Sequence, residues 1–149
     1  MKFTHLPVIF IALTLLSLNV NAQVTTIPEQ AKESFFKQYP DAKNVKWENN
    51  VVNVNVRFEQ DSSIMNAEYS NKGIWKNTLK DWSYDKLPED VKEGYNKSKF
   101  TGREVTDVKM LYLPGYVIQY RLKVEKSGLE KKYLFFSTEG RLMRSSVTL

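Results

Sequence analysis

The chain's 149 residues, 42% of them hydrophobic and 13% aromatic, are enough to bury one substantial core. The 22 Lys and Arg exceed the 17 Asp and Glu by five, but the charges are dispersed rather than run together, so no nucleic-acid partner is expected. There is no cysteine and the single histidine is His5, so the chain beyond residue 22 lacks thiolate and imidazole. Cys-His and Ser-His-Asp nucleophiles are excluded there, and a zinc or copper site would have only carboxylates to build from.

Residues 1–22 read as a secretory signal peptide. Lys2 gives a positive start, Leu6 to Leu18 is an apolar run, and Val20-Asn21-Ala22 offers small residues for cleavage before Gln23. The run is shorter than the roughly 20 residues that span a bilayer and contains Pro7, so no membrane span is expected after cleavage. With no cysteine to carry a lipid, the expected product is a secreted one. Removing residues 1–22 from the 149 leaves 127, and with Lys2 gone 21 basic groups face 17 acidic ones, a net charge of +4.

The next stretch, "IPEQAKESFFKQYP" from Ile27, predicts a short helix. Pro28 suits its opening turn, Glu29 and Glu33 suit the positive end of its dipole, and Pro40 stops it. Ala31, Phe35, Phe36 and Tyr39 fall on one stripe. Then the period changes to two. In "VVNVNVRFEQ" Val52, Val54, Val56 and Phe58 share one face and Asn53, Asn55, Arg57 and Glu59 the other, a half-buried antiparallel strand that pairs with Val45–Trp47 across Asn49-Asn50. "YSNKGIWKN" from Tyr69 reads as strand, glycine turn, strand.

Sixty positions after Ile27, "LPEDVKEGYNKSKF" repeats the opening, matching Pro28 with Pro88, Glu29 with Glu89, Lys32 with Lys92 and Glu33 with Glu93. Val91, Tyr95 and Phe100 renew the stripe, and Gly94 weakens this helix by roughly 1 kcal/mol relative to Ala. "YVIQYRLKVE" puts Ile118, Tyr120, Leu122 and Val124 inside, pairing with Val105–Tyr112 across Pro114-Gly115. "FSTEGRLMR" from Phe136 aligns Gly140 with Gly73. These matches predict an internal duplication with units 23–82 and 83–149, joined around "KDWSYDK", where Trp82 and Tyr84 cement them into one cooperative fold. The expected class is α+β: two tandem helix-plus-antiparallel-strand repeats, with the helices packed on one face of a shared antiparallel sheet.

Those two openings, "IPEQAKESFFKQYPDAKNVKW" and "LPEDVKEGYNKSKFTGREV", each closed by a glycine-turn hairpin behind a signal peptide, resemble the PepSY-like family of bacterial periplasmic proteins. That family is similar in fold to the beta-lactamase-inhibitory protein. The resemblance covers nearly all of residues 23–149 and implies helices on one side of an antiparallel sheet, the other side open, and a role in binding or restraining secreted peptidases. It supplies no motif of catalytic or contact residues.

No catalytic residue, cofactor or metal site is assigned, and the chain reads as a non-enzyme. Ser34-Phe35-Phe36-Lys37 and Ser83-Tyr84-Asp85-Lys86 have Ser-x-x-Lys spacing, but the Ser-Asp-Asn and Lys-Thr-Gly elements that accompany it in acyl-enzymes are absent. Partner-binding candidates come from strand parity instead. With Leu134 and Phe136 inside, Tyr133 and Phe135 point out beside Arg121 and Met143, the composition of a binding hot spot. The competing reading is a second small core, and a one-residue register slip would reverse the face. Tyr112 and Tyr116 flank the Pro-Gly tip and form a second candidate. The leading function is a non-catalytic secreted or periplasmic binding module, an inhibitor or regulator of a secreted peptidase or other envelope protein. The alternative is a carrier or sensor holding a small apolar or envelope ligand between helix and sheet.

Overall fold

The computed structural model describes residues 26–126 and 130–147; the expected signal peptide and its cleavage point lie outside them. In chain order the elements are α1 (Glu29–Gln38), β1 (Lys43–Asn49), β2 (Asn53–Gln60), β3 (Ser63–Ser70), β4 (Trp75–Trp82), a 3₁₀ turn (Tyr84–Lys86), α2 (Glu89–Asn96), β5 (Glu104–Leu113), β6 (Val117–Lys126), β7 (Glu130–Ser137) and β8 (Leu142–Val147). All eight strands form one antiparallel sheet in sequence order.

The expected class, α+β from two tandem helix-plus-strand repeats, is corrected by this sheet. The molecule is mostly one continuous eight-stranded antiparallel sheet with two short helices, of ten and eight residues. The physical reason lies in the β4–β5 pairing, where Thr78 to Trp82 match Tyr112 to Val108 in unbroken register. An unpaired β4 would present a row of free N–H and C=O groups, and pairing it with β5 removes that edge. The backbone ladder therefore runs straight across the expected boundary at residues 82 and 83.

Both helices cover the same face of the sheet. Val56, Ala67, Thr78 and Tyr112 lie side by side across β2 to β5, and Met65, Lys80, Met110, Tyr120 and Phe136 across β3 to β7. Under α1, Ala31 and Phe35 are fully buried against Val54, Val56, Phe58 and Tyr69. The Phe35 ring meets those of Phe58 at 5.0 Å and Trp47 at 5.1 Å, both edge to face. Under α2, Val91 and Tyr95 pack on Leu122, Val124, Leu134 and Phe136. Trp82 and Tyr84 lean on this second cluster, and Tyr112 packs against both.

Two glycine turns meet the helices backbone to backbone. Gly73 and Gly140 both have φ of +76°, which closes the β3–β4 and β7–β8 turns. A Cβ on Gly140 would lie 1.9 Å from the carbonyl oxygen of Asp90, and one on Gly94 would lie 1.9 Å from that of Gly140. Gly94 is therefore not merely a weak helix former; its missing side chain is what lets α2 reach the turn. Three other residues expected inside are exposed: Val52 in the β1–β2 turn, Phe36 on the outer side of α1, and Ile118 next to the β5–β6 tip, where no helix covers it.

Candidate functional site

The face without helices is polar in β2 and β3, where Asn53, Asn55, Arg57, Glu59, Asn66 and Glu68 occupy it. Further along the sheet it changes character. Leu79 pairs with Leu111, and Lys109, Arg121, Phe135 and Arg144 form a row across β5 to β8. One step along, Asp107, Lys123, Tyr133 and Ser146 form the next row. Leu79, Leu111, Leu113 and Phe135 line a depression of about 210 Å3 together with Arg121, Arg144, Glu68 and Asn77.

The arginines are stacked rather than dangling. The Arg121 guanidinium lies 4.4 Å from the centre of the Tyr133 ring, and that of Arg144 lies 3.4 Å from the centre of the Phe135 ring. Arg121 also donates through Nη2 to Asp107 Oδ2 at 3.3 Å, while its Nε is buried without a partner among the described residues. Lys109 donates to Asp81 Oδ1 at 2.5 Å and contacts Asp107 Oδ1 at 3.2 Å. Burial alone would lower the Lys109 pKa, but the two carboxylates outweigh it and hold the ammonium above its ordinary range. Arg144 has no carboxylate partner among the described residues.

Tyr133, Phe135 and Arg121 thus come together on the helix-free face. Their exposures differ: Tyr133 is half-buried, whereas Phe135 is only 6% exposed beneath Arg144. Met143 is exposed on β8, at the bulge opposite Phe135 and Phe136. Tyr112 and Tyr116 do not belong to this group. Tyr112 faces the helix side, and Tyr116 is fully exposed at the β5–β6 tip; both line a cleft of about 700 Å3 between that tip and the C-terminal end of α1. Leu79, Leu111, Leu113 and Arg144 were not anticipated. One signal for them was present: "MLYL", Met110 to Leu113, is apolar at four consecutive strand positions, which marks a strand covered on both faces.

Among the described residues no three of His, Cys, Asp or Glu converge as a metal site would require. No helix among them is long and apolar enough to cross a membrane.

A broad antiparallel sheet with helices on one face and an aromatic and arginine patch on the other has the form of a binding module. The family comparison gives it a place: the chain belongs to the family described as "Putative beta-lactamase-inhibitor-like, PepSY-like", whose model matches residues 52–144. Among solved structures, a DUF2874 family protein from Bacteroides ovatus is 25% identical, with 82% of this chain and 88% of that one covered and a TM-score of 0.73. A BLIP-like protein from Bacteroides fragilis is 24% identical over 80% of this chain and 85% of that one, with a TM-score of 0.71. A third, from Bacteroides eggerthii and described as a putative periplasmic protein, is 19% identical over 82% and 89%, also with a TM-score of 0.71. A comparison with curated proteins gives no match.

Proposed function

We propose that the chain is a non-catalytic binding module of the bacterial envelope that grips a folded protein partner, such as a secreted peptidase, through the helix-free face of β5 to β8. The observation that supports this reading is the change of composition on that one face. β2 and β3 present Asn, Glu and Arg there, as a solvated sheet face does, while β5 to β8 set Leu111, Tyr133, Phe135 and two stacked arginines among Asp107, Lys109 and Lys123. Arginines preorganised on aromatic rings beside buried apolar residues are frequent carriers of interface energy. Arg144, without a carboxylate partner among the described residues, favours a partner that brings one. The envelope assignment leans on the features of residues 1–22 and on the periplasmic description of the Bacteroides eggerthii relative. The carrier reading placed its ligand between helix and sheet, but Phe35, Phe58 and Tyr69 fill that space under α1, as Leu122, Leu134 and Phe136 do under α2.

The test is capture from a periplasmic extract followed by affinity measurement on the captured protein. Tyr133→Ala and Arg144→Ala should each weaken binding about thirtyfold, the effect of losing ~2 kcal/mol, with the melting temperature nearly unchanged. Asn55→Ala, on the polar part of the same face, should bind as the unaltered chain does. A partner held equally well by Tyr133→Ala and Arg144→Ala would refute the assignment of this face.

A further inference from the structure

The cleft at the β5–β6 tip lies on the opposite side of the sheet from the patch just described, and a different set of observations bears on it. Its volume of about 700 Å3 falls in the range of small-molecule sites, roughly 300 to 1,000 Å3. Tyr39, Met65, Trp75, Tyr112, Tyr116 and Ile118 supply most of its wall. No Lys, Arg, Asp or Glu contributes to the lining, so an ion entering it would lose water and gain no counter-charge.

Two of the rings are fixed before any ligand arrives. The Tyr39 hydroxyl is hydrogen-bonded to Thr78 Oγ1 at 2.7 Å, and Trp75 Nε1 donates to the same oxygen at 2.9 Å. Thr78 itself is completely buried, a polar anchor beneath the cleft floor that holds both rings at set angles. Gln38, at the end of α1, accepts from the Tyr69 hydroxyl at 2.9 Å and donates to the Tyr39 hydroxyl at 3.3 Å, which leaves one amide proton without a partner among the described residues. The Tyr112 hydroxyl makes no hydrogen bond to any described residue, although its side chain is half-buried, and burial raises its pKa, so it stays a neutral donor and acceptor.

The rim adds a third observation. Tyr116 has φ of +60°, in the left-handed region that costs a non-glycine residue energy, and its ring rests on nothing. Beside it Val117 and Ile118 are also exposed. That φ belongs to the three-residue turn joining β5 to β6, and the turn sets the ring at the edge of the cleft.

We propose that this cleft binds an uncharged, ring-bearing small molecule, stacked between Trp75, Tyr39 and Tyr116 and hydrogen-bonded to the Tyr112 hydroxyl. A sugar is a poor fit, because most of its hydroxyls would face apolar side chains and lose their hydrogen bonds. An anion is a poor fit because the lining carries no cation.

N-phenyl-1-naphthylamine, neutral and fluorescent in apolar surroundings, is the probe, titrated into the purified chain. Saturable binding at one site is expected, at least tenfold tighter than that of the anionic 8-anilinonaphthalene-1-sulfonate. Tyr116→Ala and Ile118→Ala alter exposed side chains and should leave the melting temperature unchanged while weakening the probe at least fivefold. Tyr112→Phe keeps the ring, loses the hydroxyl, and should weaken it by a similar factor. Tyr133→Ala, on the other face, should bind the probe normally, so this result stands or falls apart from the protein-partner proposal. Non-saturable binding, equal affinity for the sulfonate, or unchanged affinity in all three cleft variants would overturn the proposal.

Discussion

Replacing Gly94 by alanine sets two opposed effects against each other, and the geometry decides the sign. In an exposed helix interior Gly→Ala stabilises by about 1 kcal/mol. Here the new Cβ would lie 1.9 Å from the Gly140 carbonyl oxygen and 2.8 Å from its carbon. To restore an ordinary contact the two backbones must separate by more than an ångström, which pulls Val91 and Tyr95 off Leu134 and Phe136. Overpacking of this kind costs 1–3 kcal/mol, toward the upper end when the obstacle is backbone rather than a movable side chain. The net expectation is a loss of about 2 kcal/mol, or ~5–10 °C in melting temperature for a chain of this size. Thermal unfolding followed by circular dichroism measures it, with Glu93→Ala, exposed on the same helix, as a control expected to shift little. Gly140→Ala should be worse, because its φ of +76° adds strain to a clash 1.9 Å from the Asp90 carbonyl oxygen. A melting temperature that stays level or rises in Gly94→Ala would refute the close approach of α2 to the β7–β8 turn.

Two further outcomes follow from buried polar groups. Thr78→Val removes the oxygen shared by Tyr39 and Trp75, leaving both without that partner, and should cost about 2 kcal/mol in a denaturant titration, whereas Thr78→Ser should recover most of it. Burial raises the pKa values of Tyr39, Tyr69 and Tyr112 above their ordinary 10.0, so the folded state holds its phenol protons more tightly than the unfolded chain. The stability they contribute is fully present below about pH 10 and is lost as pH rises through the folded values, so melting temperature should fall steeply from pH 10 upward and less steeply in Tyr69→Phe. A flat profile to pH 12 would contradict the burial of these hydroxyls.

Local signals carried well and non-local ones did not. Pro28 and Pro88 sit immediately before α1 and α2, and the alternation in β2 and β6 matches which of their residues are buried, except at Ile118, which is exposed. Both signals depend only on neighbours a few positions away. The join of β4 to β5 spans the 3₁₀ turn and α2, and no period within either strand encodes it, so one continuous sheet was misread as two helix-plus-strand units. Val52 failed for a related reason: a parity count has no sense of where a turn ends, and here the turn between β1 and β2 extends through residue 52. Gly94 was legible as a weak point in a helix, but its use could be seen only once Gly140 stood opposite it.

The binding surfaces raise the same distinction more sharply. Parity assigns a side chain to a face; exposure is set by residues on adjoining strands, however far away in the chain those strands lie. Phe135 and Tyr133 share a face, yet Arg144 on β8 lies over the first, while the second has Arg121 on β6 beside it. The cleft depends in the same way on distant pieces, the end of α1 and the β5–β6 tip. Strand β5 connects the two surfaces. Leu111 is buried on the helix-free face, and the next residue, Tyr112, packs against both cores on the other. A strand held on both sides can support stacked arginines on one face and an aromatic wall on the other without movement. Rigid support limits the entropy lost when either surface is occupied, and both candidate surfaces converge on the end of β5, Met110 to Leu113, that the sequence marks as apolar on both faces.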